Sequence, residues 1–157
     1  MFPNKMPDKF SGEIDEANEK ALETEYDDDG AAGPFVAGTD GFKKFVKSGK
    51  TFKWVYTVRN SLSGVVYTLA VVSSQLKHSV AAGGMPVLTA GSGVFWAQGS
   101  IAKLNNDTGH YQTSVQSLEL VRKAWIETGF VDAVEFKERI DYGAVLAGMG
   151  KTKKGFF

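Results

Sequence analysis

From Thr51 to Asn60 the chain alternates. Phe52, Trp54, Tyr56 and Val58 fall on one side, and Lys53, Thr57 and Arg59 lie mostly on the other. A period of two is the mark of a strand with one face buried. The turn residues Ser61-Leu62-Ser63-Gly64 follow, and Val65 to Val72 returns, which predicts a hairpin. Upstream, Asp40 to Lys47 places Phe42, Phe45 and Val46 on one side of a short helix that Gly49 closes. Downstream, Ser114 to Thr128 is predicted as the longest helix. Leu118, Val121, Ala124 and Trp125 form its buried stripe, Thr113 and Gln116 form a T-x-x-Q capping box, and Gly129 is the stop.

The stretches between these elements are shorter. Gln75 to Gly84 reads as one helical turn with a glycine exit. Pro86 to Ala90 reads as a strand, Gly91-Ser92-Gly93 as a turn, and Gly93 to Ala97 with Ser100 to Leu104 as a second hairpin around Gln98-Gly99. Asn105 to Tyr111 is a loop, and Val131 to Phe136 a last strand. Near the start, Glu13 to Glu25 has helical spacing at Ile14, Ala17, Ala21 and Leu22, with Ser11 as its cap, and Asp27 to Pro34 is a hinge-like loop. The expected class is α+β: an antiparallel sheet of about five to six strands with helices before and after it. Residues 1–34 form an acidic leader with one helix, 35–148 a single domain, and 149–157 a mobile basic tail.

Composition sharpens this picture at three points. With 157 residues, 43% of them hydrophobic, the chain can bury one core and is too apolar for a disordered segment. It has no cysteine, which removes disulfides, thiolate metal ligands and a cysteine nucleophile. Its net charge of zero conceals an asymmetry: residues 1–30 carry ten acids against three lysines, so the remainder is strongly basic. A basic body with an acidic leader fits a phosphate-bearing partner, masked by the leader; an acidic solvated helix on an ordinary domain is the plainer reading. No apolar run reaches the roughly 18 residues of a membrane span, and the N-terminus is too polar for a secretory signal. The expectation is a chain that does not contact membrane and is cytoplasmic, or delivered by a route without a cleaved signal.

Candidate chemistry concentrates around the two histidines. His78 lies in Lys77-His78-Ser79, ahead of Gly83-Gly84, and His110 lies in the run from Asn105 to Tyr111. Imidazoles titrate near neutrality, so His78 and His110 can divide general acid and general base work. Lys77 and Lys53 (or Lys103) are candidates to hold a phosphate. Ser79, Asn105, Thr108 and Tyr111 are candidates to line the pocket, with Tyr111 counted among the catalytic set. The competing reading makes these histidines hydrogen-bonded spacers and Tyr111 a core anchor. No metal is expected: the histidines lack H-E-x-x-H spacing, and Asp27-Asp28-Asp29-Gly30 lacks that of a calcium loop. No cofactor is expected either. Phe42-Lys43-Lys44-Phe45 interleaves aromatics with bases, as a nucleic-acid grip does, but it also suits a helix with core phenylalanines and wet lysines.

The sequence from His78 to Leu118 resembles a domain of plant calmodulin-binding IQ-motif proteins, with related bacterial and fungal domains that are effector- or toxin-like. The resemblance rests on His78-Ser79, Gly83-Gly84, Ala90-Gly91, Gly99 with Ile101, and Thr108-Gly109-His110-Tyr111, and extends over residues 53–129. No IQ motif is present, so calmodulin binding is not carried over. Ser92 stands where that pattern usually has a charged residue, and Thr113 where a proline is common. The resemblance implies a shared fold and pocket without a secure catalytic assignment.

Three functions are therefore expected, in this order. The first is an effector- or toxin-type enzymatic domain acting on RNA or a nucleotide such as NAD, as a metal-independent ribonuclease or a nucleotide-directed transferase or hydrolase. The second is a non-catalytic module binding a small ligand or a cognate protein partner. The third is a phage or secretion assembly protein.

Overall fold

A computed structural model describes residues 1–15, 33–108 and 111–137. Strands β1 (Phe35–Val36), β2 (Phe52–Ser61), β3 (Gly64–Ser73), β4 (Thr89–Trp96), β5 (Ile101–Leu104) and β6 (Ala133–Phe136) form one sheet in the order β1-β3-β2-β4-β5-β6. Helical residues 10–15 (α1), α2 (Asp40–Lys47), α3 (His78–Ala82) and α4 (Glu119–Ile126) flank it. The class is α+β, as expected. Four strand pairs are antiparallel, and β5–β6 is parallel because the chain crosses between them through α4. Among the described residues no helix is long and apolar enough to cross a membrane.

The predicted hairpin forms with Ser61 opposite Gly64 and Phe52 opposite Ser73. Its Phe52–Trp54 face carries the main core. Phe42 and Val46 of α2, and Val121 and Trp125 of α4, close over Phe52, Trp54, Leu69, Val71 and Leu104. Trp125 packs its ring 5.4 Å from Phe52 and 5.7 Å from Phe42. Helix α2 forms where its apolar spacing predicted it. Thr39 caps α2 by accepting the Phe42 N–H at 3.2 Å, a contact type that stabilises by about 1 kcal/mol.

The opposite face is also covered, which the alternation in β2 did not suggest. Val55, Ala70 and Ala90 pack under Ala82, Val87 and Tyr111, and Val72 packs under Leu76 and Val80 of the α3 region. The described part of the leader joins this layer. Phe2 and Val87 exchange backbone hydrogen bonds of 2.7 and 2.8 Å. Ile14 packs on the Val72 cluster, and the Phe10 ring rests against Gly84.

Four local expectations are corrected. Gly91-Ser92-Gly93 is no turn but the middle of β4, which runs unbroken from Thr89, while Val87 pairs with Phe2 instead of opening a strand at Pro86. The Thr113–Gln116 capping box does not form: Thr113 is buried, and Ser114 Oγ accepts the Ser117 N–H instead. The long helix is shorter than expected, a 3₁₀ turn at Gln116–Leu118 leading into α4. Ser11 lies inside a helical stretch that starts at Phe10, after a 3₁₀ turn at Pro7–Lys9, so it is not the cap. The expected helix beyond Asp15, residues 27–32 of the hinge-like loop and the basic tail lie outside the described residues.

Candidate functional site

β5 ends at Leu104, yet β4 continues alongside it for several residues toward Thr89. The backbone groups of β4 that a longer β5 would have bonded are taken by the Asn105 N–H, which donates to Ser92 O at 3.0 Å, and by side chains. Asn105 Oδ1 accepts the Ser92 N–H at 2.9 Å, and the Thr113 hydroxyl donates to Ala90 O at 3.2 Å. Asn105 Oδ1 also accepts from Asp107 N–H at 2.9 Å, which folds the chain back over the strand. This return explains Gly91: a Cβ there would sit inside the Asn105 carbonyl and 3.0 Å from Asn106 Cα. The glycine provides close approach of two backbones, not a turn.

Of the predicted site residues, His78 and Asn105 contact this seam, and Ser79, Thr108 and Tyr111 are buried in bonds of their own. His78, at the start of α3, is 5% exposed and places Nε2 2.6 Å from Gly91 O. A carbonyl oxygen only accepts, so Nε2 carries a proton. Ser79 is fully buried and donates to Glu13 Oε1 at 2.7 Å. Thr108 Oγ1 accepts the Gln112 N–H at 2.8 Å. Tyr111 is fully buried and donates to Met85 O at 2.9 Å. Asn105 is fully buried; its Nδ2 has no hydrogen-bond partner among the described residues. His110 lies outside the described residues.

The lysines stand elsewhere. Lys77 is exposed at the N-terminal end of α3. Lys53 is partly buried and donates to Leu76 O at 2.7 Å. Lys103 lies over the Trp96 ring, 3.1 Å from its centroid, and pairs with Glu135 at 3.4 Å. Glu13, the buried carboxylate of this layer, was not picked out in the sequence, because it reads there as one more acid of a solvated leader.

Burial, and after it the charge of Glu13, pushes the Tyr111 phenol up to about 12. An unfolded tyrosine ionises near 10, so the folded chain holds this proton more tightly. The resulting stability is complete below about pH 10 and is lost as pH rises toward about 12, by roughly 2 kcal/mol. Urea unfolding at pH 8 and pH 11.5 is expected to show the wild type losing that much more stability than Tyr111→Phe. Equal losses in the two proteins would remove Tyr111 from the account.

A second region presents an opening. A groove of about 810 Å³ runs between the β2–β3 hairpin, the exit of β1 and α4. Its floor holds Tyr56 and Tyr67, stacked with centroids 5.9 Å apart and rings inclined by 21°. Tyr67 is 59% exposed despite its size. Arg59 and Lys123 stand on the rim with Glu127, which pairs with Lys123 at 3.6 Å. Burial, then Tyr67 and Glu127, raises the Tyr56 phenol above its ordinary value. The groove thus offers aromatic surface and net positive rim charge.

No family model, curated protein or solved structure matches this chain.

Proposed function

We propose that this chain is a non-catalytic binding module and that the groove between the β2–β3 hairpin and α4 is its ligand site. The observation that carries this reading is the exposed Tyr67 ring stacked on the half-buried Tyr56 on the floor of a groove whose volume falls within the range of ligand sites. Tyr56 packs on the main core, whereas the exposed Tyr67 is recognition surface more readily than core. The seam around His78, Asn105, Thr108 and Tyr111 supports the same reading from the other side. Its described side chains are buried and bonded largely to main chain, as packing groups are.

The test is an amide-shift screen with a library of aromatic and peptide fragments. Hits are expected to move the amides of Tyr56, Tyr67 and Lys123, and Tyr67→Ala is expected to weaken them at least roughly tenfold, in keeping with loss of a stacking anchor. Hits that map to the His78 seam and survive Tyr67→Ala would reject the reading.

Acid–base chemistry by His78 on RNA or a nucleotide, in an effector- or toxin-type domain, is the second reading. It is favoured by α3 carrying His78 and Ser79 in the same layer as Tyr111. Growth arrest of an expressing host, abolished by a folded His78→Ala protein and accompanied by a fall in RNA or NAD, would establish it over the binding module.

A further inference from the structure

Among the described residues the outer edge of β3 is mostly open. β1 is two residues long and pairs only with Val71 and Ala70, and Ala37 N–H donates to Leu69 O just beyond it. In an antiparallel ladder backbone groups alternate between the two sides of a strand. With the carbonyl of Leu69 facing outward, those of Tyr67 and Val65 face outward too. Among the described residues nothing pairs with them.

Open edges invite strand addition, and proteins ordinarily blunt them with lysine, proline, a bulge or a covering element. Here the edge reads Gly64-Val65-Val66-Tyr67-Thr68-Leu69, with neither charge nor proline. Val65 is 55% exposed, and no described element covers it or Tyr67. The side chains of Val65 and Tyr67 share the sheet face of Leu69 and Val71, which is the face of the groove. An added strand would therefore find backbone partners along the edge and a receptacle for its alternate side chains.

We propose that the groove receives an extended, acidic peptide segment of a partner protein, which adds to the sheet as a strand along β3 at Val65 and Tyr67. This rests on the groove being the ligand site, and it names the ligand. The rim selects the charge: Arg59 and Lys123 outnumber Glu127, so carboxylates between the apolar positions of the peptide are favoured. The same charges disfavour a second copy of this chain. Two-fold pairing of β3 edges would set two Arg59/Lys123 rims side by side. Main-chain bonds supply affinity and the tyrosine floor supplies selectivity, as in other strand-addition complexes.

The probe is a capped hexapeptide with valine at alternate positions and glutamate between them, titrated against the full chain and followed by amide shifts and hydrogen exchange. Binding is expected to slow exchange at the Val65 and Tyr67 amides. Methylating the peptide nitrogens on one edge is expected to weaken it by roughly tenfold or more, since each lost hydrogen bond is worth about that factor. Replacing glutamate by lysine is expected to weaken it comparably. Both comparisons use unaltered protein, so they do not depend on a variant folding. On the protein side, Val65→Pro removes one outward donor without touching the β2 ladder and is expected to match the methylated peptide. Indifference to methylation, or equal binding of the lysine peptide, overturns the proposal. If aromatic fragments occupy the groove while the peptide does not bind, strand addition fails and the groove stands as a ligand site. If neither binds there, both fall. Concentration-dependent protection of Val65 without peptide assigns the edge to a second copy and also overturns the proposal.

Discussion

Alanine at position 91 is expected to prevent stable folding. A Cβ on Gly91 collides with the Asn105 carbonyl, lies 2.6 Å from its carbon and 3.0 Å from Asn106 Cα. The obstacle is backbone, not the flexible end of a side chain, so relief requires either β4 or the returning chain to move. Neither is free to do so. β4 is paired to β2 through Gly91 opposite Trp54, and the return is fixed by Asn105 to Ser92 and by Thr113 to Ala90. The Trp54 indole also donates to Ser92 O at 3.0 Å, so displacing β4 pulls on the main core. Overpacking a well-filled core by one methyl commonly costs about 1–3 kcal/mol where side chains can give way. With rigid backbone on both sides, a loss of about 4 kcal/mol or more is expected, a large share of a domain's total stability. Thermal unfolding and the yield of folded protein check this. Gly93→Ala is the internal comparison: its Cβ meets the Leu104 side chain at 2.7 Å and the Lys103 carbonyl at 2.9 Å, a less severe conflict. A Gly91→Ala protein melting within a few degrees of wild type would mean that the seam is loose.

The same glycine shows where the sequence was readable and where it was not. Elements set by one periodic stretch were legible: α2 spans Asp40–Lys47 as its apolar spacing predicts, and the β2–β3 hairpin follows from alternation around Leu62-Ser63. Gly91-Ser92-Gly93 misled because glycine signals both a turn and a close approach, and only the position of Asn105, fourteen residues on, decides between them. Thr113 misled in a similar way. Its spacing from Gln116 fits a cap, but its hydroxyl is committed to Ala90 O across the sheet. Lys53, a phosphate candidate in the sequence, instead donates to Leu76 O, because the second face of the sheet is covered by α3 and the leader, which no local pattern in β2 reports. The groove was least legible, since its lining comes from residues 36–38, 56–59, 66–69 and 120–128. One signal was available. Once Ser61 is set opposite Gly64, Tyr67 falls opposite Val58 and diagonal to Tyr56, within reach for aromatic rings on one face. The burial of His78, Ser79, Asn105, Thr108 and Tyr111 depends on elements far from them in the chain, which no local spacing reports.

Asn105→Ala carries the second large expected effect, and it separates the two ways of reading the seam. The Asn105 side chain is fully buried, and its one oxygen holds two backbone N–H groups, of Ser92 and Asp107. Alanine leaves both donors without that acceptor. Each unsatisfied buried donor costs about 1–3 kcal/mol, and water replaces the amide only where the vacated space admits it. The expected loss is about 3 kcal/mol, or roughly 6–12 °C in melting temperature for a chain of this size. Aspartate keeps an acceptor at the same place and is the control for geometry. If Asn105 is a packing group of the seam, Asn105→Ala lowers stability while ligand binding at the groove, measured below the variant's melting temperature, keeps its affinity. If Asn105 belongs to a substrate pocket instead, the variant retains its melting temperature and loses activity on RNA or a nucleotide. The two outcomes differ in melting temperature and in activity. One variant, followed by thermal melting, groove titration and an assay on RNA or a nucleotide, therefore decides whether the loop after β5 exists to hold β4 or to hold a substrate.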